Sequence, residues 1–362
     1  MIDEIMQYAI DNSCSDIHIA ENRCGVVRKR GDLIFLKCYR KVETADLIDF
    51  IKKYVTDDIS PLEHMQDIDA ACNYNGKRLR ANIFNTSHGT GIALRLLSDT
   101  IPTIEQLRLP KELYGFTNVK TGLVLVIGTT GSGKSTTLAA MINEINHTQA
   151  VNILTGEQPI EYIYESDKAL ISQREIGTHV ESFADFVRSA MREDPDVVLV
   201  GELRDLDTIS NAITLAETGH MVFGTLHAKS VAETVDRLID VFPADGQEQI
   251  RVQLSSVLKA VIYQKLVPDT KKGRLPLIEL MAVDDVISSM IKQKQKPNAL
   301  RDYIRTKKDT GCIHLVDNIV FHSRNGDLDY TTVKPLLTAE DYRLIESILS
   351  VGNRKKGFAY GG

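Results

Sequence analysis

The feature that most constrains this chain is an eight-residue glycine loop, Gly128-Thr129-Thr130-Gly131-Ser132-Gly133-Lys134-Ser135. The loop fits the phosphate-loop pattern G-x-x-x-x-G-K-[ST] at every specified position. An apolar, β-branched run precedes it at Leu123–Ile127, and a segment with helical spacing follows it at Thr136–Asn146. In a strand, glycine loop and helix arranged in this order, backbone N–H groups and the helix N-terminus bind phosphate. The sequence therefore predicts a site for a nucleoside triphosphate.

Lys134 and Ser135 have separate predicted roles in this loop. We expect the Lys134 ammonium to neutralise the β- and γ-phosphates of ATP, and the Ser135 hydroxyl to hold Mg²⁺. The predicted nucleotide-binding residues are those of the loop together with the next helical residue, Thr136. Glu157 is a further predicted contact of the nucleotide.

Composition narrows the class of protein. The chain has 362 residues, enough for two or three domains, and its net charge of −6 argues against a nucleic-acid groove over the whole surface. Aromatic residues make up only 6% and tryptophan is absent, which disfavours a base-stacking surface. Five scattered cysteines without a C-x-x-C pair are typical of a reducing cytosol. Because no apolar run approaches about 20 residues, we expect a cytoplasmic protein without a transmembrane segment, which reaches the membrane through partners.

The chain divides into three predicted parts. Residues 1–98 show short strand and helix patterns, which predict a small α+β domain. Residues 99–115, with Pro102 and Pro110, are a predicted linker. Residues 116–362 begin with strands that alternate with helices, typical of an α/β fold with a mostly parallel sheet, and end in a helical region. The strand candidates of this third part are Leu123–Ile127, Val151–Thr155, Val197–Val200 and Met221–Thr225.

Acidic side chains follow two of these strand candidates. Glu202 comes after the apolar run Asp196–Gly201, which has the form of a Walker B strand. Glu157 and Glu161 come after Val151–Thr155. Because parallel strands end at the same edge of a sheet, we expect these carboxylates beside the phosphate loop.

Two histidines, His220 and His227, bracket the strand candidate Met221–Thr225. A lone histidine usually has a structural role. Two histidines around one strand beside a nucleotide site favour a sensor of the γ-phosphate, and we interpret them in that way.

Four ordered motifs form a recognisable family pattern. They are GTTGSGKSTTLAAMINEIN, then QPIEY with SQRE, then MREDPDVVLVGELRD, and AETGHMVFGTLH followed by DRLIDVFP. With them the chain resembles the secretion ATPases of type II secretion and type IV pili, and among these the pilus retraction ATPases of the PilT type. The resemblance is strong from residue 116 to about residue 280. It is weaker in the N-terminal domain, where it rests on Ser15-Asp16-Ile17-His18 and Arg78-Leu79-Arg80-Ala81-Asn82.

The resemblance implies a PAS-like N-terminal domain joined to a RecA-like P-loop ATPase domain, assembled as a homohexameric ring. It implies that Glu161 and Glu202 share catalysis and Mg²⁺ binding, with Ser135 as the loop's metal ligand and part of the coordination through water. His220 and His227 fall on the family's two box histidines.

The resemblance also implies that Arg80 and Arg95 of the N-terminal domain close on the γ-phosphate. A planar, permanently charged guanidinium suits a phosphate whose charge shifts during transfer. Without the resemblance, both arginines would be interpreted as surface residues of a sheet.

The sequence departs from the family pattern at three places. Gln158 stands where the family usually has Asp, and Ala228 and Lys229 follow the second box histidine where the family prefers hydroxyl or amide residues. Val286–Gln293 keeps the apolar spacing of the AIRNLIRE-like helix of retraction ATPases, but serines replace its arginine and asparagine. In contrast, the extra N-terminal domains and tetracysteine motif of assembly-type relatives are absent from the sequence.

The predicted function is a hexameric motor that hydrolyses ATP, docks on an inner-membrane platform protein and powers type IV pilus retraction. An alternative within the family is an accessory or assembly ATPase of the same apparatus. From other classes, a low-turnover ATP-binding switch and a nucleic-acid translocase are alternatives, and the acidic balance disfavours the second.

Overall fold

The structure, a computed structural model, describes residues 1–29, 31–37, 40–97, 100–271, 273–307 and 310–356. Contacts divide the chain into two compact units. The N-terminal unit comprises Met1–Thr100 together with Pro159–Ile163, and the phosphate-loop unit comprises Ile101–Gln158 and Tyr164–Gly362. A five-residue segment that lies about 60 residues further along the chain therefore belongs with the N-terminal unit.

The N-terminal unit is built on a six-stranded antiparallel sheet. Its elements are α1 (Ile2–Asp11), β1 (Asp16–Ala20), β2 (Val26–Lys29), β3 (Asp32–Phe35), α2 (Thr44–Tyr54), α3 (Ser60–Glu63), β4 (Ile68–Tyr74), β5 (Lys77–Thr86) and β6 (Gly89–Leu96). The strands lie in the order β3-β2-β1-β6-β5-β4. Because side chains alternate between the two faces of a strand, Ile17 and Ile19 of β1 enter the core with Ile5 of α1 and Leu47 of α2. The opposite face of the sheet carries a cluster of polar side chains, among them Asp16, Arg80 and Arg95.

The phosphate-loop unit is built on a seven-stranded sheet. Its elements up to the sheet's last strand are α4 (Leu113–Thr117), β7 (Gly122–Ile127), α5 (Lys134–Thr148), β8 (Asn152–Glu157), β9 (Leu170–Glu175), α6 (Phe183–Ala190), β10 (Val197–Val200), α7 (Leu206–Glu217), β11 (Met221–Leu226), α8 (Val231–Ile239), α9 (Gln247–Val257), β12 (Leu258–Pro268) and β13 (Arg274–Ala282). Then follow α10 (Asp285–Lys292), α11 (Pro297–Thr306), α12 (Leu315–Arg324), a 3-10 helix (Tyr330–Leu336) and α13 (Ala339–Lys356).

The seven strands lie in the order β13-β12-β7-β11-β10-β8-β9. All neighbours are parallel except β12 and β13, which form an antiparallel pair at one edge. Every residue of β7, β10 and β11 is buried, as expected for parallel strands covered on both faces. The carboxyl ends of these three strands therefore lie side by side at one edge of a rigid sheet.

The helices of this unit begin in two different ways. Helices α6, α7 and α8 begin after Ser182, Asp205 and Ser230, whose side chains each accept a backbone N–H from the first turn. Helix α5 begins after Gly133, which has a φ of 88° and offers no side-chain cap. The first N–H groups of α5 are thus left without a capping side chain, as a phosphate-binding helix requires.

The predicted fold class is confirmed: an α/β unit with a mostly parallel sheet carries the phosphate loop, and a smaller α+β unit precedes it. The four strand candidates correspond to β7, β8, β10 and β11. Strands β9, β12 and β13 were not predicted, because polar residues interrupt their apolar pattern. Within the described part of the chain, no helix combines the length and apolar character needed to cross a bilayer.

Two histidines of the C-terminal region are buried, with exposures of 2% for His314 and 3% for His322. Burial lowers the pKa of both, because a charged imidazolium would lose its water. At His322 the Asp327 carboxylate, 3.7 Å away, opposes this shift and the Arg108 guanidinium reinforces it. The pKa in the fold thus lies below the unfolded value of about 6.5, so the stability contributed by the neutral imidazole is present above that value and is lost as the pH falls.

We therefore expect the His322→Gln variant to lose less stability than the wild type on acidification from about pH 7 to about pH 5, because it has one buried imidazole fewer to protonate. Urea denaturation of both proteins across this range gives the two pH slopes. The slopes are compared, and not the absolute stabilities, because the substitution also changes packing. Equal slopes would contradict a contribution of His322 protonation to the loss of stability at low pH.

Candidate active site

The phosphate loop connects β7 to α5 and is shaped by glycines with left-handed backbones. The φ angles are 147° at Gly128, 75° at Gly131 and 88° at Gly133. A Cβ atom on Gly128 would lie 2.3 Å from the backbone oxygen of Gln264, and one on Gly133 would lie 2.7 Å from the Gln264 Nε2. Both the backbone conformation and the lack of space therefore require glycine at these two positions.

The loop offers polar groups that fit a chain of phosphates. Lys134 Nζ donates to the carbonyl oxygens of Gly128, at 3.0 Å, and Thr129, at 3.2 Å, so the ammonium lies across the loop. The Ser132 hydroxyl is buried and has no hydrogen-bond partner among the described residues. Ser135 is exposed in the first turn of α5. A cation, an uncapped helix N-terminus and a glycine cradle together fit the phosphates of a nucleotide.

Glu202 lies at the same edge of the sheet, two residues after the end of β10. Its Oε2 accepts a charged hydrogen bond from Arg204 Nη2 at 2.7 Å, and its Oε1 lies 3.3 Å from His227 Nε2. The turn that carries it is fixed from β11, because the Thr225 hydroxyl donates to the Gly201 carbonyl. The Glu202 side chain is 17% exposed, which leaves a largely desolvated carboxylate with one open side.

His227 follows β11 and connects Glu202 to the loop electrostatically. Burial lowers the pKa of His227, and the positive charge of Lys134 lowers it further, while the Glu202 carboxylate opposes both effects. The imidazole is therefore held toward its neutral form, in which it both donates and accepts hydrogen bonds. Lys134, Glu202 and His227 thus form one cluster at the carboxyl edge.

The structure does not place His220 in this cluster. His220 precedes β11, so it lies at the amino edge, where its carbonyl oxygen accepts the Gly122 N–H at 3.0 Å. Its Nδ1 is 2.9 Å from the Leu215 carbonyl oxygen and 3.1 Å from the Thr218 hydroxyl. The six residues of β11 separate the two histidines by about 20 Å. The interpretation of both histidines as one γ-phosphate sensor within a single chain therefore does not match the geometry.

The two remaining acids are also placed differently from each other. Glu157 ends β8 at the carboxyl edge, but its Oε1 accepts from the Thr155 hydroxyl at 2.8 Å and from Gln173 Nε2 at 3.2 Å, so this oxygen is engaged within the sheet. Glu161 lies in the segment that groups with the N-terminal unit. There the hydrogen bond that Arg80 donates to Asp69 raises the pKa of Arg80, and the negative charge of Glu161 adds to this effect.

Arg80 and Arg95 lie directly opposite each other on β5 and β6, on the polar face of the N-terminal sheet. Arg80 forms a bidentate pair with Asp69, with distances of 3.1 Å and 2.6 Å. Arg95 Nε donates to Asp16 Oδ1 at 2.8 Å. Both arginines therefore already have a carboxylate partner, and each would exchange it to bind a phosphate. Asp16, Asp69 and Arg204 were not predicted as partners of site residues, although Asp16 and Arg204 stand within the family motifs.

Fold and site together define a phosphate-loop nucleotide-binding protein with a RecA-like sheet. Residues 1–323 match the family model described as type II/IV secretion system protein, and the chain belongs to this family.

Three relatives and one solved structure place the chain within the family. It is 40% identical over 314 residues to the uncharacterized protein YggR of Escherichia coli K12, covering 86% of this chain and 95% of that protein. It is 39% identical to the type IV pilus retraction ATPase PilT of Pseudomonas aeruginosa, covering 81% and 85%, and 46% identical to a twitching motility protein of Neisseria gonorrhoeae, covering 66% and 63%. The structure of the pilus retraction motor PilT with bound ADP matches at a TM-score of 0.84 and 36% identity, covering 92% and 96%. The predicted family is therefore confirmed.

We expect the Glu202→Gln variant to hydrolyse ATP roughly 100-fold more slowly, because the amide keeps the shape of the side chain but loses the charge that orients water or metal. Phosphate release by the purified protein measures this rate. Glu248→Gln, an exposed substitution in the first turn of α9, is the matched control and should be neutral. A wild-type rate for Glu202→Gln would remove this residue from the catalytic set.

Proposed function

We propose that this protein is a motor ATPase that hydrolyses ATP to ADP and phosphate and powers type IV pilus retraction, and with it twitching motility. One observation carries the proposal: Lys134, Glu202 and His227 meet at one edge of a parallel sheet beside a complete phosphate loop. The family of the chain and the names of two of its relatives, a retraction ATPase and a twitching motility protein, support the kind of work that hydrolysis drives.

The proposed chemistry is in-line attack of water on the γ-phosphate. Lys134 exchanges its two loop carbonyls for phosphate oxygens and stabilises the charge that develops on them. Glu202 and Glu161 share the orientation of the water and the support of the metal. His227, 3.3 Å from Glu202, is placed to hold that carboxylate and to respond to the terminal phosphate.

Mg²⁺ fits this site as a companion of the nucleotide. Among the described residues, no group of three or more His, Cys, Asp or Glu side chains is placed to hold a metal ion. Ser135 and Glu202, the latter partly through water, are the residues that would hold Mg²⁺. When bound, the ion neutralises negative charge on the phosphates.

The mechanical step in this proposal uses Arg80 and Arg95. Each leaves its aspartate and engages the γ-phosphate, so the N-terminal unit contributes to hydrolysis only while ATP is present. Because ADP lacks this phosphate, turnover releases the arginines, and the resulting domain motion is the mechanical output.

The proposed assembly is a homohexamer on the cytoplasmic side of the inner membrane, docked on the pilus platform protein. An accessory or assembly ATPase of the same apparatus is the second candidate, favoured by the serines that replace the arginine and asparagine of the family pattern in Val286–Gln293. A low-turnover ATP-binding switch is the third. Steady-state hydrolysis separates a motor from a switch, and the phenotype of a deletion separates retraction from assembly.

We expect deletion of the gene in its host to give more surface pili and to abolish twitching, because pilins are no longer removed. Wild-type protein should restore both phenotypes, whereas Lys134→Ala, which removes the cation of the loop, should restore neither. Pilus counts by electron microscopy and stab assays of motility measure the outcome. Loss of pili would instead indicate assembly, and restoration by Lys134→Ala would contradict an ATP-driven motor.

We expect Arg80→Ala to reduce turnover by tenfold or more and to change ADP affinity much less, because the phosphate loop still holds the nucleotide. Arg40→Ala is a matched control, since Arg40 is an exposed arginine of the same unit that pairs with Glu43 and Asp46. Steady-state kinetics and titration with a fluorescent ADP give the two quantities. Unchanged turnover in Arg80→Ala would show that this arginine is a surface residue of the sheet without a role in hydrolysis.

A further inference from the structure

Gln264 is a buried amide beneath the phosphate loop, at 3% exposure. It lies in β12, which runs parallel to β7, and its neighbour Tyr263 pairs with Ile127, the last residue of β7. Gln264 therefore stands beside Gly128, the first residue of the loop. Burying a glutamine among apolar neighbours in the strand such as Val261, Ile262 and Val267 is unfavourable unless both ends of its amide are hydrogen-bonded.

Both ends of the amide are satisfied, and each partner belongs to the site. Gln264 Nε2 donates to the carbonyl oxygen of Ser132 in the loop at 2.8 Å. Its Oε1 accepts from the hydroxyl of Thr137, in the first turns of α5, at 2.6 Å. One side chain thus joins the loop to the helix that follows it, and both hydrogen bonds are buried.

Gln264 also confines the loop from the same side. Its backbone carbonyl oxygen occupies the space beside Gly128, and its side-chain Nε2 occupies the space beside Gly133, which leaves no room for a side chain at either glycine. The amide combines in one side chain a donor for the Ser132 carbonyl and an acceptor for the Thr137 hydroxyl. Glutamate would lack the donor, and an apolar residue of the same length would lack both groups.

We propose that Gln264 is a positioning residue for nucleotide binding and hydrolysis: it fixes the phosphate loop to the start of α5, so that the N–H groups of both point at the phosphates together. The proposal rests on the proposed function for its effect on hydrolysis, and it acts through Ser132 and Thr137, without contact to the substrate. It gives β12, which contributes no residue to the catalytic cluster, a direct role in the geometry of the site.

The test is the Gln264→Met variant, which keeps length and removes both hydrogen bonds. We expect the dissociation constant for ADP to rise about tenfold and kcat to fall by a similar factor. The reason is that a buried loop carbonyl and a buried hydroxyl left unpaired destabilise the loop conformation that binds the phosphates. Hydrogen exchange of the amides in residues 128–137 should become faster, while that of β8 and β10 stays the same. The matched control is Gln253→Met, which removes from α9 an amide that donates to Glu217 of α7. It should leave all three readouts unchanged.

The outcomes separate positioning from support of the fold alone. A lower melting temperature with unchanged ADP affinity and kcat for the folded protein would overturn the proposal, as would wild-type values throughout. If Gln264→Met does not fold, Thr137→Val, which removes only the hydroxyl, decides: weaker ADP binding supports the proposal and unchanged binding overturns it. If the wild type itself does not hydrolyse ATP, the proposed function fails, and the ADP titrations still test Gln264.

Discussion

The parallel register of β10, β11 and β7 is the constraint on which the site depends. Ile127 pairs with Leu226, and Val200 pairs with Gly224, so these neighbouring strands end within about two residues of each other. The residues that follow are the first glycine of the loop, His227 and the turn to Glu202. Because every residue of the three strands is buried, their relative positions are fixed by packing. The site therefore requires no flexible segment to bring its charged groups together.

The charged groups are held in pairs that differ in how easily they separate. Arg80 and Asp69 are 37% and 42% exposed, and such partly exposed pairs contribute at most about 1 kcal/mol each. Exchange of Asp69 for a phosphate that carries more charge is therefore inexpensive. The Glu202 side chain is more deeply buried, with only 17% exposed, and it has both Arg204 and His227 as partners. The Arg80–Asp69 pair is thus easier to separate than Glu202 is from its two partners.

Sequence patterns predicted the parts of the site that depend on local chemistry. The loop follows a motif because each specified position meets a steric or charge requirement. Glu202 could be predicted because the fully buried strand before it, β10, is a continuous apolar run. The patterns could not show that His220 and His227 lie at opposite ends of β11, although that follows from the length of the strand once its direction is known. The patterns also could not predict a role for Gln264. That role depends on β12 lying beside a loop more than 120 residues earlier in the chain, which the sequence of the strand does not show.

Arg108, in the segment that follows the N-terminal unit in sequence, contacts the turn between β12 and β13. Strand β12 ends at Pro268, and the next residue, Asp269, accepts a hydrogen bond from Arg108 at 2.7 Å. Arg108 has a φ of 58°, an uncommon conformation for a residue with a side chain, and it also donates to the Arg274 carbonyl at the start of β13. The segment that contains Arg108 is therefore anchored at Asp269, directly after the strand that supports the phosphate loop, and at Arg274 on the next strand. Because both contacts of Arg108 lie within the phosphate-loop unit, they hold the segment around Arg108 to the end of β12 and the start of β13.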